Sequence, residues 1–550
     1  MLRDIIKPFF LITIILIAIF PILDTTFISH GYSNTVVLVA ESPASLVEYI
    51  HQVREGIYRF ILTNNPERIA NLLSNNGLLF KILNKSRGDE IIRGMNPHEL
   101  AYTLLYASRL GRGIRVEELP LLSEHVREFE IQLLRGKSNV SVVFFSSDGS
   151  DYAFLAAYTA ILKEASLIDM DAGFDPSYLR GVEDVIVVTT PLRRGNSDRY
   201  SKLINYFTKL DEDPYLDVSF GLLTGNYLET PFMMLLSDVI LERAGLQAFL
   251  GISLIEDLPI TRKVERISSI LGLHPKVYYP DLSYSNLTEE VVKSLLNVRR
   301  SLIYLSLHGN PYTMALRYDG YPVMTAHTVK QLDVFGSIII TLSCNTLKFS
   351  DISGPESSVA YSFLDSGALA YVGSTKAEFS LKSELGTSHP DLLILLLMSG
   401  NSLGEAVKIV NNLKIGSSAG QTIESASEVL LGDPTLRIQG IRLPFKTSGG
   451  SGRYVIEVEE TTPTLFLMLR EVGNPSIVSE VPEPHFEWYR DDEGTFIYIT
   501  TLSTSYAGYF KAGDRIEVKM GKSEGSASIL PYFLILSVMV ISLIPMLRHR

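Results

Sequence analysis

Two short apolar stretches of this chain end in residues able to do covalent chemistry. One reads Ser301-Leu-Ile-Tyr-Leu-Ser-Leu-His308-Gly309 and the other Ser337-Ile-Ile-Ile-Thr-Leu-Ser-Cys344, and Cys344 is the only cysteine among 550 residues. A thiol attacks a carbonyl carbon as the thiolate, and a neighbouring imidazole can generate that species. Each stretch is an apolar run stopped by small or polar residues, the pattern of a strand covered on both faces. In sheets of that kind ligands bind beyond the carboxyl ends of the strands, where both residues fall. The pattern predicts a cysteine nucleophile with a histidine partner. The competing reading makes Cys344 a small buried hydrophobe and His308 a hydrogen-bonded strand-end residue. His327, in Met324-Thr-Ala-His327, is the rival base; no apolar strand precedes it, as expected of a solvated loop histidine. A third group should orient the imidazole, and Glu256 and Asp257 in Ser253-Leu-Ile-Glu-Asp257 are the acids that could do so.

These residues need a sheet to position them. From residue 139 the chain alternates apolar strands (residues 140–145, 184–188, 218–223, those ending at His308 and Cys344, and 367–373) with helical stretches (152–164, 231–244 and 357–366). That alternation predicts a mostly parallel sheet with helices on both faces. Residues 42–130 carry apolar positions at three- and four-residue steps, among them Leu46, Ile50, Val53, Ile57 and Ile61, and predict a helical region, either a pro-segment or a helical packing domain. Residues 447–453, rich in Gly and Ser, read as a linker. The short strands after it predict a small all-β sandwich.

Composition narrows the function. The net charge is −12 and no long Lys/Arg run occurs, which argues against a nucleic-acid partner. A lone cysteine excludes an intramolecular disulfide. No His/Cys/Asp cluster has zinc-ligand spacing and no Asp-rich loop argues for calcium, so neither a metal nor a cofactor is expected. Residues 8–23 and 529–547 are uncharged; Arg548 and Arg550 follow the second stretch. The first reads as a signal peptide or anchor and the second as a spanning helix. The positive-inside rule then places the intervening chain outside the cell. Asn84, Asn139 and Asn286 open Asn-x-Ser/Thr triplets, which mark acceptable surface glycosylation sites.

The run into His308-Gly309 followed by the run into Ser343-Cys344 resembles the clan of cysteine peptidases that holds caspases, legumains and gingipains, and most closely the gingipain-like family. Val359-Ala-Tyr-Ser-Phe-Leu-Asp-Ser-Gly-Ala-Leu-Ala-Tyr-Val-Gly-Ser374, Ser402-Leu-Gly-Glu-Ala406 and Leu431-Gly-Asp-Pro434 are similar to later motifs of that family. The resemblance implies a caspase-like αβα sandwich with a mainly parallel sheet, preceded by the helical region and followed by an immunoglobulin-like sandwich. The divisions are a signal or anchor at 1–31, the helical region at 32–137, the catalytic domain at 138–440, the β-sandwich at 441–521, and a stalk with spanning helix at 522–550. It implies that Cys344 attacks a peptide carbonyl, that His308 protonates the leaving amine, and that the N–H groups of Gly309 and Cys344 hold the oxyanion. Where the family's strand leads to a Gly-Arg pair, this chain has Gly221-Leu222, so no preference for Arg or Lys is implied. The function expected is a membrane-anchored extracellular cysteine endopeptidase acting on proteins or peptides. The alternatives are a non-catalytic surface binding module on the same fold, or a transpeptidase processing surface proteins.

Overall fold

In a computed structural model the described residues are 35–135, 141–146, 148–207, 210–254, 256–280, 287–316, 322–377, 389–417, 426–438, 440, 442–471, 473–479, 484–491, 494–501 and 506–521. The two apolar terminal stretches, Asn139 and Asn286 lie outside them. No helix among the described residues is long and apolar enough to cross a membrane.

The first part of the chain holds helices, as expected, but also a parallel sheet. Strands β1 (Val36–Ala40), β2 (Tyr58–Leu62) and β3 (Phe80–Ile82) pair in the order β2-β1-β3. The helical period of Leu46, Ile50 and Val53 is real but spans only two short helices, Ala44–Val47 and Ile50–Val53. Ile57 and Ile61 continue the spacing by coincidence: the first precedes β2 and the second lies within it. The longer helix Pro97–Ser108 buries most of its length against helix Ser150–Leu162. The Tyr158 hydroxyl accepts the Phe60 N–H at 3.0 Å, and the Tyr102 hydroxyl donates to the Leu167 carbonyl at 2.8 Å. The first unit therefore shares one continuous core with the main sheet.

The main sheet has ten strands. They are β4 (Ser141–Phe145), β5 (Ser166–Asp169), β6 (Asp184–Val188), β7 (Ser219–Leu223), β8 (Ala248–Ser253), β9 (Pro275–Tyr278), β10 (Ser301–Ser306), and, after a small three-stranded sheet of β11 (His308–Gly309), β12 (Thr313–Ala315) and β13 (Pro322–Thr325), β14 (Ile338–Thr341), β15 (Ala370–Ser374) and β16 (Glu428–Gly432). The order is β5-β4-β6-β7-β16-β15-β14-β10-β8-β9. The strands expected from sequence at 140–145, 184–188, 301–308 and 337–344 all lie in this one sheet. Every pair is parallel except β15 with β16. The sheet is thus two parallel blocks running in opposite directions, each with its carboxyl ends at its own edge. Every residue of β6, β7, β10, β14, β15 and β16 is buried, so both faces are covered.

β7 and β16 meet through the single register pair Leu222 and Leu431. A β-carbon on Gly221 would stand 2.4 Å from the Gly432 carbonyl oxygen, so only glycine permits this crossing. Leu222, which stands where the resembled family carries arginine, is fully buried in that joint.

The remaining strands form two antiparallel sheets, β17 (Phe445–Gly450), β18 (Arg453–Val458), β23 (Arg515–Gly521) and β20 (Asn474–Ser479) in one, and β19 (Thr464–Leu469), β22 (Thr495–Thr500) and β21 (His485–Arg490) in the other. The expected linker at 447–453 is instead an edge hairpin. Gly449, Ser451 and Gly452 adopt positive φ there, and they let β17 fold back on β18. Gly/Ser content signalled the turn correctly and hid the strands around it. The second sheet packs on helices Pro390–Met398 and Leu403–Ser417. His389, just before the first of these, places Nε2 3.0 Å from Glu487 of β21, whose other oxygen lies 2.9 Å from His485 Nε2. Burial pushes the Glu487 carboxyl up, but the two histidines outweigh it and hold it well below the usual range.

Candidate active site

The site is built where β10 and β14 end. Ile338, Ile339 and Ile340 are β-branched and fully or almost fully buried, which suits a central strand. Their register with β10 runs from Leu302 opposite Ile338 to Leu305 opposite Thr341. Parallel pairing brings both carboxyl ends to one edge, and the chain continues two residues to His308 and three to Cys344.

Beyond the last pair the ladder changes character. The Leu342 N–H still donates to the Leu305 carbonyl at 2.8 Å. The Leu307 N–H donates to the Ser343 hydroxyl at 3.2 Å, and the Ser343 N–H donates to the Thr341 hydroxyl at 2.9 Å. Each strand extension then turns away. His308 and Gly309 become β11, pairing with Ala315 and Met314 of β12. Cys344 is followed by Asn345 at φ +55°, a left-handed conformation that Asn tolerates better than most residues. The Asn345 N–H donates to the Lys376 carbonyl at 2.8 Å and the Leu347 N–H to the Ser374 carbonyl at 2.9 Å, which clamps the turn to the end of β15.

The two motifs touch. A β-carbon on Gly309 would lie 2.9 Å from the Cys344 carbonyl oxygen and 2.9 Å from the Ser343 β-carbon. Glycine at 309 admits this close approach of the other loop, because it has no β-carbon to obstruct it. Tyr312, between β11 and β12, donates its hydroxyl to the Asp351 carbonyl at 2.6 Å and accepts the Ser353 N–H at 2.7 Å. It joins the histidine-bearing hairpin to the segment after Cys344.

His308 is half-buried, and Cys344 is partly accessible and outside any disulfide. His308 Nε2 lies 3.5 Å from Glu256 Oε1, whose side chain is 61% exposed. Asp257 does something different: its carboxylate accepts the hydroxyl of Ser306, the last residue of β10. The same turn is held by the Leu254 N–H, which donates to the Ser306 carbonyl at 2.9 Å. Of the two acids left open by sequence, Glu256 reaches the imidazole and Asp257 fastens the turn that carries Glu256. His327 is exposed on the short helix Ala326–Val329, with Nε2 2.7 Å from the Gln331 amide.

Ser343 and Tyr312 were not singled out by sequence. Ser343 stood inside the quoted motif, but nothing local shows that its hydroxyl reaches Leu307. Nor did sequence pick out the acids Asp211, Asp213 and Asp217, whose oxygens all lie within 4.8 Å of one another. Burial pushes the Asp213 carboxyl up to about 6, against the pull of the Tyr215 N–H. These oxygens accept N–H groups of their own loop, from Asp213, Tyr215 and Leu210. That makes the cluster a loop brace.

Residues 267–439 match the model of Peptidase family C25. His308, Gly309 and Cys344 fall inside that span; Glu256 and Asp257 fall before it. Among solved structures, the chain is similar to the Arg-specific cysteine proteinase gingipain R (RGPB), 12% identical with a TM-score of 0.41, over 71% of this chain and 93% of that one. It is also similar to the complex of Porphyromonas gingivalis RgpB pro- and mature domains, 11% identical with a TM-score of 0.38, over 89% and 93%. A third is the Saccharomyces cerevisiae separase–securin complex, 14% identical with a TM-score of 0.29, over 60% and 19%. No curated protein matches the chain.

Proposed function

We propose that this chain, a gingipain-like cysteine endopeptidase, cleaves peptide bonds with Cys344 as nucleophile and His308 as its acid–base partner. The observation that carries the assignment is the contact of Gly309 with the Cys344 carbonyl, which sets the His-Gly and Ser-Cys loops against each other at one sheet edge. In this reading the Cys344 thiolate forms a bond to the scissile carbonyl carbon, and the carbonyl π pair moves onto oxygen. The N–H groups of Gly309 and Cys344 hold that oxyanion. Collapse breaks the C–N bond, and the leaving nitrogen takes the proton from the His308 imidazolium. Water then attacks the thioester; His308 accepts its proton and the thiolate leaves. Glu256 stabilises the imidazolium from 3.5 Å.

The division into a catalytic domain at 138–440 and a sandwich at 441–521 belongs to the same proposal. So does its placement outside the cell, with residues 8–23 a signal or anchor and 529–547 a spanning helix ahead of Arg548 and Arg550. Proteins or peptides are the substrates.

A peptide-library cleavage assay on the wild type and on Cys344→Ser, His308→Ala and His327→Ala tests the assignment, with folding followed by circular dichroism. The first two should lose about three orders of magnitude or more in kcat, and combining them should add little. His327→Ala should retain wild-type rates. Full activity in Cys344→Ser would overturn it.

A further inference from the structure

We infer that Ser343 is a positioning residue for the reaction, the element that separates the extensions of β10 and β14 at the point where His308 and Cys344 must face a substrate. This rests on the reading of Cys344 as nucleophile.

In a regular parallel ladder the register of Leu305 opposite Thr341 puts the next rung between the Leu307 N–H and the Leu342 carbonyl. The Ser343 hydroxyl accepts that N–H instead, at 3.2 Å. A side-chain oxygen reaches further than a main-chain carbonyl, so the strands can part without leaving a buried donor unsatisfied. Ser343 is itself fully buried, and the Thr341 hydroxyl fixes its backbone by accepting its N–H at 2.9 Å. The Ser343 β-carbon meanwhile stands 2.9 Å from where a β-carbon on Gly309 would be. One residue therefore touches the residue before His308, the residue after it, and, through the peptide bond, Cys344. Its chemistry is narrow: it needs a short side chain with an acceptor oxygen.

Ser343→Ala removes the acceptor and leaves the Leu307 N–H to seek the Leu342 carbonyl, which draws the loops together. Misplacement of reacting groups by about 1 Å costs on the order of a hundredfold, so kcat should fall roughly that far while KM changes little. Alkylation of Cys344 by iodoacetamide, followed against pH, should show its rate rise displaced to higher pH, because the imidazole no longer supports the thiolate. Ser343→Thr keeps the hydroxyl and should recover most of the rate. Thr341→Val, which removes the acceptor of the Ser343 N–H at constant shape, should give a milder version of the alanine phenotype, and it serves if Ser343→Ala does not fold. A folded Ser343→Ala, or in its place Thr341→Val, with wild-type kcat and an unmoved alkylation profile would overturn the inference. Activity surviving in Cys344→Ser would instead overturn the assignment on which it rests, so the two failures are distinguishable.

Discussion

Glu256 Oε1 stands 3.5 Å from His308 Nε2, while the next residue, Asp257, is turned away to the Ser306 hydroxyl. Two adjacent acids thus have separate roles. Glu256→Gln should leave the fold intact and lower kcat by about tenfold or less, because an exposed carboxylate stabilises an imidazolium only modestly. Asp257→Asn should act chiefly on stability, through the turn that holds β8 and β10 together. Comparing kcat with the melting temperature of each variant checks the division; equal losses of kcat with no change in melting temperature would refute it.

Gly309→Ala puts a methyl 2.9 Å from the Cys344 carbonyl oxygen and the Ser343 β-carbon, where backbone must move to admit it. Overpacking of this kind costs about 1–3 kcal/mol. Activity should fall by far more than stability, since the backbone that must move carries the proposed oxyanion donors, the N–H groups of Gly309 and Cys344. Measured side by side, kcat/KM and urea midpoints would show this; a variant with unchanged kcat/KM would disprove the contact's catalytic role.

The docking of the first unit should depend on pH. The hydrogen bond that His98 donates to Asp169 raises the His98 pKa, with Glu130 assisting and burial opposing. His98 Nδ1 lies 2.8 Å from Asp169 and Nε2 3.3 Å from Glu130. A raised folded-state pKa gives stability fully present below the unfolded value of about 6.5 and lost as pH rises through the folded value. Thermal melts from pH 6 to 9 should show the wild type losing stability relative to His98→Gln, with the gap closing at the alkaline end. A constant gap would exclude the linkage.

For placement outside the cell, protease added to intact cells should remove the described domains and leave a small membrane-bound fragment containing residues 529–547, detected by an antibody to a tag beyond Arg550. Complete protection in intact cells, with cleavage after lysis, would exclude it.

Much of this protein was legible from local pattern. Runs such as Ile338-Ile-Ile and Asp184-Val-Ile-Val-Val188 are apolar at every position because both faces of their strands are covered, and that period survives in the sequence without any partner being known. His308-Gly309 and Ser343-Cys344 marked the ends of such runs for the same reason. What local pattern misread were segments whose neighbours decide their state: β1 to β3, where four-residue helices borrowed the spacing of a longer one, and the hairpin at 445–458, where glycines served the turn. Only the tertiary structure decided that β10 and β14 are adjacent, that the sheet reverses direction at β15 and β16, and that Gly221 and Gly432 pass within a methyl's width. It alone separated Glu256 from Asp257 and aimed the Ser343 hydroxyl at Leu307. Those are distances between groups tens of residues apart, set by sheet order and register, and no periodicity along one strand encodes its neighbour.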